Sequence, residues 1–74
     1  MPKLRPLSAT EVGRLLRAHG FGLVHQRGSH LIYRRQLPGG DSATVPVLNR
    51  REIPGGTLKS IISLSGLDES RFRK

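Results

Sequence analysis

The sequence predicts an α+β fold of order α-β-β-β-α, with a three-stranded antiparallel sheet carrying two helices on one face. Three observations predict it. Two stretches with helical apolar spacing bracket the chain, three short β-rich runs lie between them, and tight-turn residues separate those runs.

The first helix is expected over residues 9–19. Ser8 opens it, and Glu11 stands three residues later, so each side chain can satisfy the other residue's backbone N–H in a capping box. Pro6 discourages an earlier start. Val12, Leu15 and Leu16 repeat at i, i+3 and i+4 to form one apolar stripe, while Arg14 and Arg17 face outward. Gly20 supplies the left-handed stop, and His19 lies in the last turn, where positive charge is favoured.

Phe21 to Gln26 is strand-like, with Phe21, Leu23 and Val24. Arg27-Gly28-Ser29 reads as a tight turn, and His30 to Gln36 forms the second strand around Ile32 and Tyr33. Pro38-Gly39-Gly40-Asp41 is a strong turn signal. Ala43 to Val47 is the third strand; Pro46 cannot donate to a ladder, so this strand is an edge or ends there. A charged loop over residues 49–52 leads to Pro54 at a first-turn position and a helix through Thr57 to Ser65. Leu58, Ile61 and Ile62 form its buried stripe, and Gly66 ends it. Asp68 caps a final turn, with Phe72 folding back on the core. The other face of the sheet is expected to stay open.

At 74 residues the chain is read as one domain, 1–74, with residues 1–7 as a loose basic arm. A chain this short buries only ~60% of the surface its unfolded form exposes, so modest stability is expected. It has no cysteine, so neither a disulfide nor a thiolate-bound metal adds to the core. No stretch approaches the ~18 apolar residues of a spanning helix, and nothing near Pro2 to Pro6 reads as a signal peptide, which points to a cytoplasmic protein without a membrane partner. Thirteen Lys+Arg against five Asp+Glu give a net charge of +8, the strongest compositional signal. Such charge attracts polyanions, and the preference for arginine over lysine suits bidentate phosphate contacts. A solvated basic surface or a match to an acidic protein partner would produce the same count.

The tripeptide Gly28-Ser29-His30 just before Leu31-Ile32-Tyr33 carries the chemistry. An imidazole moves protons near neutral pH, and strand alternation places His30, Ile32 and Arg34 on one face with Leu31, Tyr33 and Arg35 on the other. RNA brings its own nucleophile, the 2′-hydroxyl, so a nuclease needs a base, cations for the developing phosphorane charge and an acid for the leaving oxygen. His30 can serve as base or acid, Arg27 and Arg34 as cations, and Gly28 permits close backbone approach to a phosphate. An ordinary strand histidine donating to a carbonyl is the plain alternative for His30. His25 reads as a solvent-facing strand residue that a hairpin could bring near His30, and His19 as a helix-end residue. No histidine spacing places two on one helix face, so neither a metal nor any other cofactor is expected. Tyr33 could stack on a base, yet a core tyrosine with its hydroxyl reaching water is the simpler role. Thr57 and Ser60 near the second helix's start could hold phosphate, although capping alone would explain Thr57.

These segments resemble the HicA-type (YcfA-like) toxins of bacterial type II toxin–antitoxin systems. The resemblance runs through Gly20-Phe21, Gly28-Ser29-His30 with Tyr33, Thr44-Val45-Pro46, Gly56-Thr57-Leu58-Lys59-Ser60-Ile61, Ser65-Gly66-Leu67 and Phe72. It implies a fold like the double-stranded-RNA-binding domain and cleavage of mRNA dependent on the histidine that corresponds to His30. It also implies a HicB-type antitoxin with an acidic surface covering the active face. The expected site is therefore catalytic His30, with Arg27, Gly28, Ser29, Arg34 and Lys59 holding RNA. The chain departs from the pattern at Leu48, where the family often places a second histidine. A non-catalytic RNA-binding module with the same basic face is the alternative, and a pure protein-interaction module is a third.

Overall fold

The chain enters its first helix through a reciprocal pair of hydrogen bonds. The Glu11 N–H donates to Ser8 Oγ at 3.1 Å, and the Ser8 N–H donates to Glu11 Oε1 at 3.1 Å, the two-way cap expected from the sequence. The computed structural model describes residues 6–72. They form α1 (Ala9–Ala18), β1 (Gly22–Arg27), β2 (His30–Gln36), β3 (Ser42–Leu48), α2 (Gly55–Ser65) and a closing 3₁₀ turn over Glu69–Phe72. Gly20 at φ +91° and Gly66 at φ +72° stop the two helices as expected. Asp68 accepts from the Ser70 N–H at 3.0 Å to start the last turn.

The three strands form an antiparallel meander in the order β1-β2-β3, so β2 is central and β3, with Pro46, is an edge. Tyr33 pairs with Val45 and Leu31 with Val47, and these two pairs face the helices. Tyr33, Val45 and Val47 are buried there with Val12 and Leu16 of α1, Leu58, Ile61 and Ile62 of α2, and Phe72. Each such side chain contributes about 1.5–3 kcal/mol on burial. The core therefore lies on one side of the sheet, and helix α2 packs along β3.

Two expectations are corrected. The basic arm assigned to residues 1–7 falls largely outside the described residues, but its end is not loose. Leu7 is 1% exposed and pairs with Ile53 in an isolated antiparallel bridge, closed by the Ile53 N–H donating to the Leu7 carbonyl at 2.8 Å. The second helix also begins without the Thr57 cap. Pro54 is its N-cap, no side chain caps it, and the first helical bond runs from the Leu58 N–H to the Pro54 carbonyl at 2.8 Å. The fixed φ of proline suits a helix entry, and its missing N–H removes one donor that would otherwise need a partner.

Candidate functional site

A two-residue hairpin loop sets the position of His30. Arg27 pairs with His30 across it, leaving Gly28 and Ser29 at the tip. Gly28 has φ +58° while no non-glycine among the described residues has positive φ, which is the pattern of a type II′ turn with glycine at its first central position. The turn itself thus requires Gly28. The loop is tied down twice: the Gln26 side-chain amide donates to the Gly28 carbonyl at 3.3 Å, and the Asn49 N–H donates to the Ser29 carbonyl at 2.7 Å. The second bond reaches over from the end of β3, so the two loop residues before His30 are held one from each side, Gly28 from β1 and Ser29 from β3.

The register decides which faces are shared. His30 stands opposite Arg27 on β1 and opposite Leu48 on β3, and Ile32 lies between His25 and Pro46. Directly opposed residues hold their Cβ atoms about 5 Å apart. His30, Ile32 and Arg34 therefore occupy the face away from the helices, flanked by Arg27, His25, Pro46 and Leu48. His30 is exposed to solvent. On β1 plain alternation from Arg27 puts His25 on the His30 face one pair further along, and an irregularity between Leu23 and His25 re-phases the strand so that Leu23 falls opposite Tyr33 on the other face. Bulges re-aim side chains in this way.

The expected RNA-holding residues separate into near and far. Arg27, Gly28 and Ser29 adjoin His30. Arg34 shares its face but stands four residues along the strand, roughly 13 Å away, where its Nε donates to the Thr44 hydroxyl at 3.4 Å. Lys59 is exposed on α2 and does not line the cleft at His30. That cleft, about 220 Å³, is formed by His30, Pro46 and Leu48 with Thr57, Ser60 and Leu64 of α2, and Ile61 closes it from below. Thr57 and Ser60 bring hydroxyls to it, although Ser60 also donates to the Gly56 carbonyl at 3.3 Å. Pro46, Leu48 and the half-exposed Leu64 make its wall apolar. Leu64 carried no functional signal in the sequence, because only the docking of α2 on β3 brings it beside His30.

The basic face lacks an aromatic platform. Phe21, Tyr33 and Phe72 are each 4% exposed or less, so the base-stacking role considered for Tyr33 is not available and phosphate contacts remain. Arg35 lies on the other face, its guanidinium 5.3 Å from the centre of the Phe21 ring and donating to the His19 carbonyl at 3.1 Å. It closes the end of α1, beyond reach of the His30 face. Among the described residues no group of three or more His, Asp or Glu side chains is placed to hold a metal ion, and no helix is long and apolar enough to cross a membrane.

Comparison with known protein families gives a match. The model of the family described as the HicA toxin of bacterial toxin–antitoxin systems matches residues 9–67, from the start of α1 to just past α2. No curated protein matches the chain.

Proposed function

The chain belongs to the HicA toxin family of bacterial toxin–antitoxin systems, and on that premise we propose that it cleaves mRNA through His30. The observation that carries the reading is the placement of an exposed histidine directly across from Arg27, on the sheet face away from α1 and beside a cleft that α2 flanks, in a chain of net charge +8. His30 takes the proton of a ribose 2′-hydroxyl, and the 2′-oxygen attacks the adjacent phosphorus. The 5′-oxygen of the next nucleotide leaves and takes up a proton, giving a 2′,3′-cyclic phosphate and a free 5′-hydroxyl. Arg27 offsets the charge that develops on the phosphoryl oxygens. Arg34 and Lys59 hold flanking phosphates further out, where they add affinity without touching the reacting atoms. Thr57 and Ser60 donate hydrogen bonds from the α2 side of the cleft.

The partner is a HicB-type antitoxin whose acidic surface covers the open face. Both effects favour inhibition: it blocks His30 sterically and competes with phosphate for the arginines.

The test is a cleavage gel with purified protein and a messenger RNA, parent against His30→Ala, with EDTA present. The parent releases fragments with cyclic-phosphate ends, and the variant reduces the rate by 10²-fold or more, the usual contribution of a positioned acid–base group. An equally active variant overturns the assignment.

Leu48 gives specific support to a second reading, a non-catalytic RNA-binding module. It stands opposite His30 and puts an aliphatic side chain there, so no second imidazole faces His30 across the β2–β3 pair. That reading predicts binding whose log affinity falls linearly with log salt and RNA that stays intact after prolonged incubation. Cleaved ends that require His30 eliminate it.

A further inference from the structure

On the side of the sheet opposite His30, a groove of about 350 Å³ runs between α1 and the β1–β2 hairpin. Gly13, Arg14 and Arg17 line it from the helix, and Leu23, Leu31 and Tyr33 from the strands. Its chemistry differs from that of the open face. Leu23 is 42% exposed and the adjacent Val24 is 56% exposed, a solvent-facing apolar pair on a strand with all six residues exposed. Arg14 and Arg17 are exposed one turn apart on the flank of α1, and no carboxylate lines the groove.

Tyr33 supplies the second, independent observation. The residue is 4% exposed, yet its hydroxyl makes no hydrogen bond among the described residues and is not sealed from solvent. It lies against Gly13, where an added Cβ would overlap it. A glycine in the middle of a helix costs up to about 1 kcal/mol relative to alanine; here it opens the gap through which the phenol reaches the groove. The phenol oxygen therefore stands open to solvent at the base of the groove, where an arriving acceptor can take its hydrogen.

We propose that this groove docks an acidic segment of a protein partner. An aliphatic side chain of the segment covers Leu23 and Leu31, carboxylates pair with Arg14 and Arg17, and an oxygen accepts from the Tyr33 hydroxyl. The two guanidiniums suit carboxylates as well as phosphates, and it is the apolar floor of Leu23 and Leu31 that suits a side chain better than a nucleotide. RNA is the poorer occupant because the Tyr33 ring face is inside the core and no other exposed aromatic offers stacking. The family supplies only the premise that a protein partner exists. Because the groove faces away from His30, a partner held there stays attached whether or not the open face is covered, so attachment and inhibition become separable.

The test uses the full chain, labelled with ¹⁵N. It is titrated with a synthetic peptide of one leucine flanked by glutamates and, separately, with a short single-stranded RNA. The peptide is expected to shift the amides of Gly13, Leu23 and Tyr33 saturably and to leave His30 and Ser60 unmoved. Arg14→Glu with Arg17→Glu weakens the peptide roughly tenfold or more, whereas Arg27→Glu with Arg34→Glu, an equal charge change on the other face, alters it by no more than about twofold. Tyr33→Phe, which removes only the hydroxyl, weakens it several-fold at unchanged melting temperature. The proposal is overturned if peptide shifts centre on His30, if no saturable shifts occur, or if the Arg14/Arg17 reversal spares peptide and abolishes RNA binding. Catalysis is scored apart from this: persistent cleavage by His30→Ala would remove the nuclease assignment and leave the peptide result standing.

Discussion

The two edges of one small sheet are built to opposite specifications. Val45 and Val47 on β3 are fully buried, α2 packs along that strand, and the Leu7–Ile53 bridge closes the layer beyond it. All six residues of β1 are exposed; the strand is held by its pairing with β2, an irregularity breaks its register, and two large apolar side chains face water. His30 is on the strand between them, one neighbour on each edge. Cohesion and display are thus divided across about 10 Å of sheet. The β3 edge holds the fold, and the β1 edge presents surface.

Matched charge insertions should break this contrast most sharply. Val45→Asp buries an unpaired carboxylate in the core and is expected to cost more than about 4 kcal/mol, enough to unfold a domain of this size. Val24→Asp should remain within about 0.5 kcal/mol of the parent. Urea midpoints followed by circular dichroism compare the two, and similar losses would mean that β1 is part of the core after all.

A smaller effect isolates the helix above the groove. Glycine to alanine inside a helix normally stabilises by up to about 1 kcal/mol, but Gly13→Ala should destabilise by about 1–3 kcal/mol because the new methyl meets the Tyr33 hydroxyl. Adding Tyr33→Phe should recover part of that loss. A double-mutant cycle measured by thermal melts reads the coupling, and strict additivity would show that the two groups do not meet.

The hairpin gives a modest expected stability change, with a disproportionate effect on chemistry. Gly28→Ala places a side chain at φ +58° and should cost about 1–2 kcal/mol. The loop relaxes by shifting register, and a shift of one residue carries His30 to the other face of the sheet. RNA cleavage should therefore fall further than the midpoint shift explains. A proportional loss of both would indicate that the loop does not aim His30.

Much of the fold is legible in the sequence because its signals are local. The Ser8–Glu11 pair, the glycines at 20 and 66, the turn at residues 38–41 and the stripes of Val12, Leu16, Leu58 and Ile61 each act within a few residues. Contacts between distant residues are not legible in this way. Leu7 sits in a basic, proline-flanked stretch with no periodicity, and only Ile53, far along the chain, reveals it as core. Phe21, Leu23 and Val24 form an apolar, strand-like run, yet Phe21 alone is buried, and Leu23 stays half exposed at the groove beside α1. Pattern identifies His30 and Arg27 as a pair. The cleft beside them depends on where α2 docks, and that is why Leu64 gains a role only in three dimensions.

The chain has one tyrosine and no tryptophan. Its intrinsic ultraviolet emission therefore arises from a single phenol, the one whose hydroxyl lies at the base of the α1 groove. A carboxylate arriving there quenches that emission by accepting the phenolic hydrogen bond, whereas a ligand on the His30 side leaves the fluorophore's surroundings unchanged. The protein thus contains its own optical reporter, able to tell without a label which of its two faces has been occupied.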